Sequence, residues 1–238
     1  MATVADRISR VDAALAQSVR VWLALVGYLA VVQLFVTYIG AGLERDPRSA
    51  LLSWPAIGII GAVGLIGIWL SHQTGFPAEG KVPPLAIGIG LALGLAMAGA
   101  DVVFGFTRAF AAQNTLMSFN APFPGSVLFY PAGAIIVEVF YRLLPIPLVL
   151  WLLRGHFQTA AFYVLAVLTS LIEPVQQDLD DVRPETLTMV STMFALDFAL
   201  NFSQAMFFRR YGFLASIVLR VALYLVWHVA YGNLVCHC

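Results

Sequence analysis

Charge is scarce in this chain. Only 11% of its 238 residues are charged, while 61% are hydrophobic; a soluble domain carries about 25% and about 45–50% respectively. So few charges cannot cover a water-facing surface, and a mean hydropathy of +0.87 agrees. Excess charge of either sign is also missing, with 13 basic against 13 acidic residues. Nucleic-acid binding, which needs a basic footprint, gains no support. Cysteine is limited to Cys236 and Cys238, so no disulfide framework holds the fold together. No HExxH run marks a zinc peptidase. Nor is there an internal repeat of the kind that builds many transporters.

What the chain has instead is a series of long apolar runs. Seven spans of about 20 residues would use about 140 residues, so one bundle fills the chain and a separate soluble domain has no room. The expected fold is an all-α polytopic bundle of about seven spans, within a range of six to eight. Residues 1–20, with Arg7, Arg10 and Arg20, read as an amphipathic lead-in helix. Spans are expected at about Val21–Gly42, Trp54–Ser71, Pro84–Phe106, Ser126–Leu153, Ala160–Gln176, Leu187–Phe208 and Phe213–Val235. Helices are the default because lipid offers the backbone no hydrogen-bond partner. Pro145 and Pro147 interrupt the fourth, which breaks in two in the eight-element version. With the N-terminus in the cytoplasm, Arg7, Arg10, Arg20, Lys81, Arg154, Arg209 and Arg210 lie inside, against Arg45, Arg48, Arg108 and Arg183 outside. The positive-inside rule favours that orientation. Compact size and short loops point to a bacterial inner membrane. Gly58, Gly61, Gly64 and Gly67, and the pair Gly90 and Gly94, read as helix-packing positions.

The polar residues inside the spans carry the functional information. Asp101, Glu138, Arg142, Glu173, Asp197, Arg220 and His228 all fall there. A charge at a helix centre costs about 2.5–3.5 kcal/mol to insert, so these groups are expected to face one another or a wet cavity. Glu138 and Arg142 share a helix face four residues apart. Ser170, Glu173 and Gln177 form a second stripe, Asp197, Asn201 and Gln204 a third, and Arg220, Tyr224 and His228 a fourth. Four stripes in the C-terminal half place the site there. Asp101, near the end of the third span, reads as interfacial. Three acids (Glu138, Glu173, Asp197) against Arg142 and Arg220 leave one negative charge beside His228, and an odd proton suits acid–base chemistry. The plainer readings stand beside this one. Glu138–Arg142 is then a structural pair, Arg220 a counter-ion for Asp197 or Glu173, Asn201 a helix tie, and His228 a satisfied core histidine.

At these residues the chain resembles the CPBP family, the CAAX proteases and bacteriocin-processing enzymes. The family's first motif is two adjacent glutamates, three residues and an arginine. Val137-Glu138-Val139-Phe140-Tyr141-Arg142 matches its second glutamate and its arginine, with Val137 at the first glutamate. The second motif, Phe-xxx-His, is nearest to Thr169-Ser170-Leu171-Ile172-Glu173, with Glu173 at the histidine. The last motif places a histidine near the C-terminus, often with asparagine four later. His228 fits, Gly232 is four later, and Asn233 comes one beyond. The run 208–214, Phe-Arg-Arg-Tyr-Gly-Phe-Leu, is similar to the turn before the family's last helix. The resemblance spans residues 126–235.

The resemblance implies an intramembrane endopeptidase acting on membrane-associated or prenylated peptides, without metal or cofactor. Glu138 or Glu173 is then the general base for a water, and His228 polarises the scissile carbonyl. Arg142 orients Glu138, Asn201 adds an oxyanion donor, and Asp197 and Arg220 support them. In the family, the groups at positions 137 and 173 are taken to activate the water, and here they are Val and Glu. Two alternatives therefore stay open: a catalytically silent member that binds membrane proteins, and a proton- or ion-coupled carrier using the same buried acids.

Overall fold

The computed structural model describes residues 4–40, 43, 46–77, 81–113, 120–178 and 186–235; the side chains of 4–12, 110–113, 177 and 178 are not described. Cys236 to Cys238, Arg45 and most of the acidic loop 178–185 lie outside these limits. The described residues form helices joined by short turns: α1 (Val4–Tyr38), a short 3-10 helix (Pro47–Leu52), α2 (Trp54–Gln73), α3 (Pro84–Phe104), α4 (Phe106–Gln113), α5 (Gly125–Glu138), α6 (Pro145–Leu152), α7 (Gln158–Asp178), α8 (Leu187–Tyr211), α9 (Phe213–Tyr224) and α10 (Gly232–Val235). Two π-helical turns, Val139–Leu143 and Leu225–Tyr231, join α5 to α6 and α9 to α10.

Among the described residues six helices are long and apolar enough to cross a membrane: Ala13–Tyr38, Trp54–Gln73, Pro84–Phe104, Gly125–Leu152, Gln158–Gln176 and Phe213–Val235. The chain is an all-α polytopic membrane protein. The expected sixth span is present as α8 but fails on composition, because it carries Asp197, Asn201, Gln204, Arg209 and Arg210. It packs among α3, α7 and α9, so its polar residues have helices for neighbours. The expected lead-in helix is not a separate element either; it runs into the first span as one 35-residue helix.

The prolines of the fourth span do not break it. Pro145 and Pro147 occupy the first turn of α6, where missing N–H groups cost nothing. The turn before them widens instead, and Leu144 N–H reaches back five residues to the Val139 carbonyl at 3.0 Å. At the far end of the bundle Gly212 turns α8 directly into α9. Its φ of 87° is open to glycine and strained for other residues.

Packing fixes the helices that carry polar groups. On one side, α1 and α2 support α5 and α6. Trp22 is fully buried there, donates Nε1–H to the Gly61 carbonyl at 2.9 Å, and lies flat where a side chain on Gly64 would stand. A Cβ on Gly67 would come within 2.6 Å of the Leu143 carbonyl oxygen, whereas Gly58 faces open space. On the other side, α3 lies against α9 through Gly90 and Gly94. The small-residue pattern therefore marks close helix approaches at Gly64, Gly67, Gly90 and Gly94, while Gly61 meets only Val26 at 3.7 Å and Gly58 meets nothing among the described residues.

Asp101, expected at the interface, is buried at 3% exposure. It ties the end of α3 to two other segments. Its Oδ1 accepts from Thr107 N–H at 2.7 Å, and its Oδ2 accepts from Thr107 Oγ1 at 2.6 Å and Tyr231 OH at 2.8 Å. Asp101→Asn keeps the shape and loses the charge assistance. It is expected to lower stability by about 1 kcal/mol, read as a lower melting temperature of the purified protein in detergent.

Candidate functional site

Glu138 closes α5, and Arg142 sits one turn later in the first π segment. Both are buried, at 0% and 1% exposure. The anticipated pair forms, with Arg142 Nη1 donating to Glu138 Oε2 at 3.3 Å. The same oxygen accepts a shorter bond, 2.6 Å, from Ser216 Oγ on α9. Arg142 Nη2 crosses to α8, where it donates to Asn201 Oδ1 at 2.5 Å and Gln204 Oε1 at 3.1 Å. Among the described residues Glu138 Oε1 and Arg142 Nε have no hydrogen-bond partner, and neither has Thr169 Oγ1, one turn before Glu173 on α7.

The second acid is held more tightly. Arg220 on α9 donates Nη1 and Nη2 to the two oxygens of Glu173, at 2.7 and 2.6 Å. That bidentate fork is the strongest form of such a pair. Arg220 also donates Nε to Gln204 Oε1 (3.0 Å), Nη2 to Asn201 Oδ1 (2.7 Å) and Nη1 to Tyr224 OH (2.8 Å). Asn201 returns its amide to Glu173 Oε2 at 2.8 Å and to the Asp197 carbonyl at 2.9 Å. Its Oδ1 thus receives both arginines while its Nδ2 serves the acid. Gln204 does the same work, accepting from both arginines and donating to the Ser216 carbonyl at 3.0 Å. Two acids and two arginines from α5, the π turn, α7 and α9 meet on two amides of α8. Such groups tolerate burial because each is paired and hydrogen-bonded.

The charge count differs from expectation. The buried quartet is Glu138, Glu173, Arg142 and Arg220, which is neutral. Asp197, counted as the third acid, is only half-buried, one turn before Asn201. Arg220, for which either Asp197 or Glu173 was a candidate, takes Glu173.

His228 lies in the second π segment, eight residues after Arg220 and four after Tyr224. Its ring stands edge-on to Tyr224 at 5.0 Å and stacks on Tyr130 at 4.2 Å and 9°. Its Nδ1 is 2.8 Å from Asn120 Oδ1. Glu138 does not reach it, since both bonds of that carboxylate go to Arg142 and Ser216. The π turn has a further effect. In an α-helix residues four apart share a face, and here an extra residue per turn brings the fifth into line. Asn233, five after His228, accordingly faces the same segment: its Oδ1 accepts from Phe123 N–H at 3.1 Å and its Nδ2 lies 3.4 Å from Ser126 Oγ.

Every site residue expected from the sequence is therefore placed. Glu138, Arg142, Glu173, Asn201 and Arg220 join one network, His228 adjoins it through Tyr224, and Asp197 lies at its margin. Ser216, Asn120 and Tyr130 were missed. Ser216 had a signal, being one turn before Arg220 on the stripe that continues to Tyr224 and His228. Asn120 had none, because it lies outside any helix. Among the described residues no three His, Cys, Asp or Glu side chains gather as metal ligands. No family model matches the chain, no curated protein matches it, and no solved structure matches the fold.

Proposed function

We propose that this chain is a divergent CPBP-like membrane protein that holds a membrane-protein partner without cutting it. The observation that carries this reading is the closure of the buried quartet. Glu173, at the position of the family's histidine, is locked by Arg220 on both oxygens. Glu138 is fully buried and spends one oxygen on two donors. Val137 contributes no group at all. A hydrolase needs a base within reach of a water and of the scissile carbonyl, and the hydrogen bonds of Glu138 go to Arg142 and Ser216 while His228 is held by Asn120. The displaced Asn233, brought back to the face of His228 by the π turn, favours CPBP-like architecture over an unrelated bundle. We place the N-terminus in the cytoplasm, on seven basic residues on that side of the membrane against four on the other, and the chain in a bacterial inner membrane, on its compact size and short loops.

A second reading is the glutamate peptidase, and one atom favours it. Glu138 Oε1 has no hydrogen-bond partner among the described residues, which leaves that oxygen able to accept a proton from water. His228 then polarises the carbonyl and Arg142 orients the base, with no metal required. A comparison of new protein N-termini in host membranes separates the two. Wild type, Glu138→Gln and His228→Ala are expressed at matched levels. The binding reading expects the same termini in all three. Termini found with wild type and absent with both variants would establish the peptidase and name its substrates.

A further inference from the structure

A cavity of about 700 Å³ lies away from the polar quartet, at the end of the bundle where α2 and α8 finish, α6 ends and α7 begins. That volume is in the range of small-molecule sites. Its wall is divided. Arg154, Arg209, Gln73 and Gln158 line it together with Phe76 and Trp151, and among the described residues no carboxylate lines it. Neither arginine has an ion-pair partner among the described residues. Arg209 is fixed in place, its guanidinium 4.3 Å above the Phe162 ring. Arg154 sits at φ 49° and nearby Phe157 at φ 53°, and strained backbone of this kind concentrates at ligand clamps.

The surroundings say which kind of anion fits. Trp69 and Trp151 pack together at 6.0 Å and are 45% and 43% exposed, the amphipathic pairing found at a membrane surface. Leu152, which lines the cavity beside Trp151, is 60% exposed. A soluble anion has no use for that apolar rim, whereas acyl chains do. We infer that this cavity binds the phosphate headgroup of an anionic phospholipid, with Arg154 and Arg209 on the phosphate and the chains lying along the Trp69–Trp151 side. The site is independent of whether the chain cuts its partner.

The test uses the full chain purified in detergent, with lipid retention read by native mass spectrometry and melting temperature followed in parallel. Phosphatidylglycerol, phosphatidylcholine and inorganic phosphate are the three probes. Wild type is expected to retain phosphatidylglycerol in preference to phosphatidylcholine and to melt higher with it. Arg154→Gln and Arg209→Gln are each expected to weaken retention about fivefold. Lys81→Gln, an exposed cation outside the cavity, leaves it unchanged. Arg154 is exposed, so its variant folds even if Arg209→Gln loses its stacking and does not. Equal retention of the two lipids, or no effect of Arg154→Gln, overturns the inference. Stabilisation by inorganic phosphate equal to that by phosphatidylglycerol overturns the lipid assignment and leaves a plain phosphate site.

Discussion

Arg220→Met is expected to destabilise the protein by about 3–5 kcal/mol, the cost of breaking a buried pair and leaving the other charge uncompensated. The substitution removes both donors to Glu173 and the donors to Asn201, Gln204 and Tyr224 at one stroke. Glu173 keeps the Asn201 amide, which cannot balance a charge. Thermal unfolding in detergent measures the loss. The double variant Glu173→Gln with Arg220→Met is expected to recover much of it, and the difference between the variants isolates the pair. A loss below about 1 kcal/mol in the single variant, the range of exposed pairs, would mean that water reaches the quartet. The closed-site reading would then fail. The double variant bears on function as well. Buried pairs are often replaceable by apolar residues at no cost to stability. A stable double variant that no longer holds the partner would show that the network positions a surface.

Helical period makes most of this site legible in the sequence. Glu138 with Arg142, Asn201 with Gln204, and Arg220 with Tyr224 and then His228 follow one another at steps of three or four residues, and these groups meet inside the bundle. Cross-helix pairing was not legible. Whether Arg220 takes Asp197 or Glu173 depends on the rotation of α8 against α7, and rotation is set by packing around the whole helix. Nor did the sequence announce its π turns. Pro145 signals only that something must give before it, and the second π segment has no proline at all. That segment turned Asn233 from a mismatch into a neighbour of the segment that also contacts His228. The charge count failed for a related reason: span limits place Asp197 in the membrane, yet they do not say how deeply a side chain is enclosed. The Val21–Gly42 run was legible as a span, and its fusion with the residues before it could have been read from the lack of any Pro or Gly in 1–20 to stop a helix.

Gly90→Val is the second large effect, at about 3 kcal/mol, the upper end of overpacking penalties. A Cβ on Gly90 would collide with the Leu219 carbonyl oxygen and come within 2.8 Å of Ala222 Cβ. The first of these is backbone and cannot rotate away, so α3 and α9 must separate. Gly88 supplies the control on the same helix, because nothing stands within 4 Å of its Cβ position. Gly88→Ala is expected to gain up to about 1 kcal/mol from helix propensity. Opposite signs two residues apart, read in the same melting assay, would establish the contact. Equal and small effects would mean that α3 rides loosely on α9. The consequence reaches the polar core, because Leu219 precedes Arg220 and Ser216 lies one turn before that. An outward shift of α9 lengthens the 2.6 Å bond from Ser216 to Glu138 and the 2.6–2.7 Å fork on Glu173. Interiors packed this closely transmit strain over several residues. Gly90→Val should therefore lose most of the stability difference between wild type and Arg220→Met. The two substitutions combined should cost less than their sum, since the first has already loosened what the second removes.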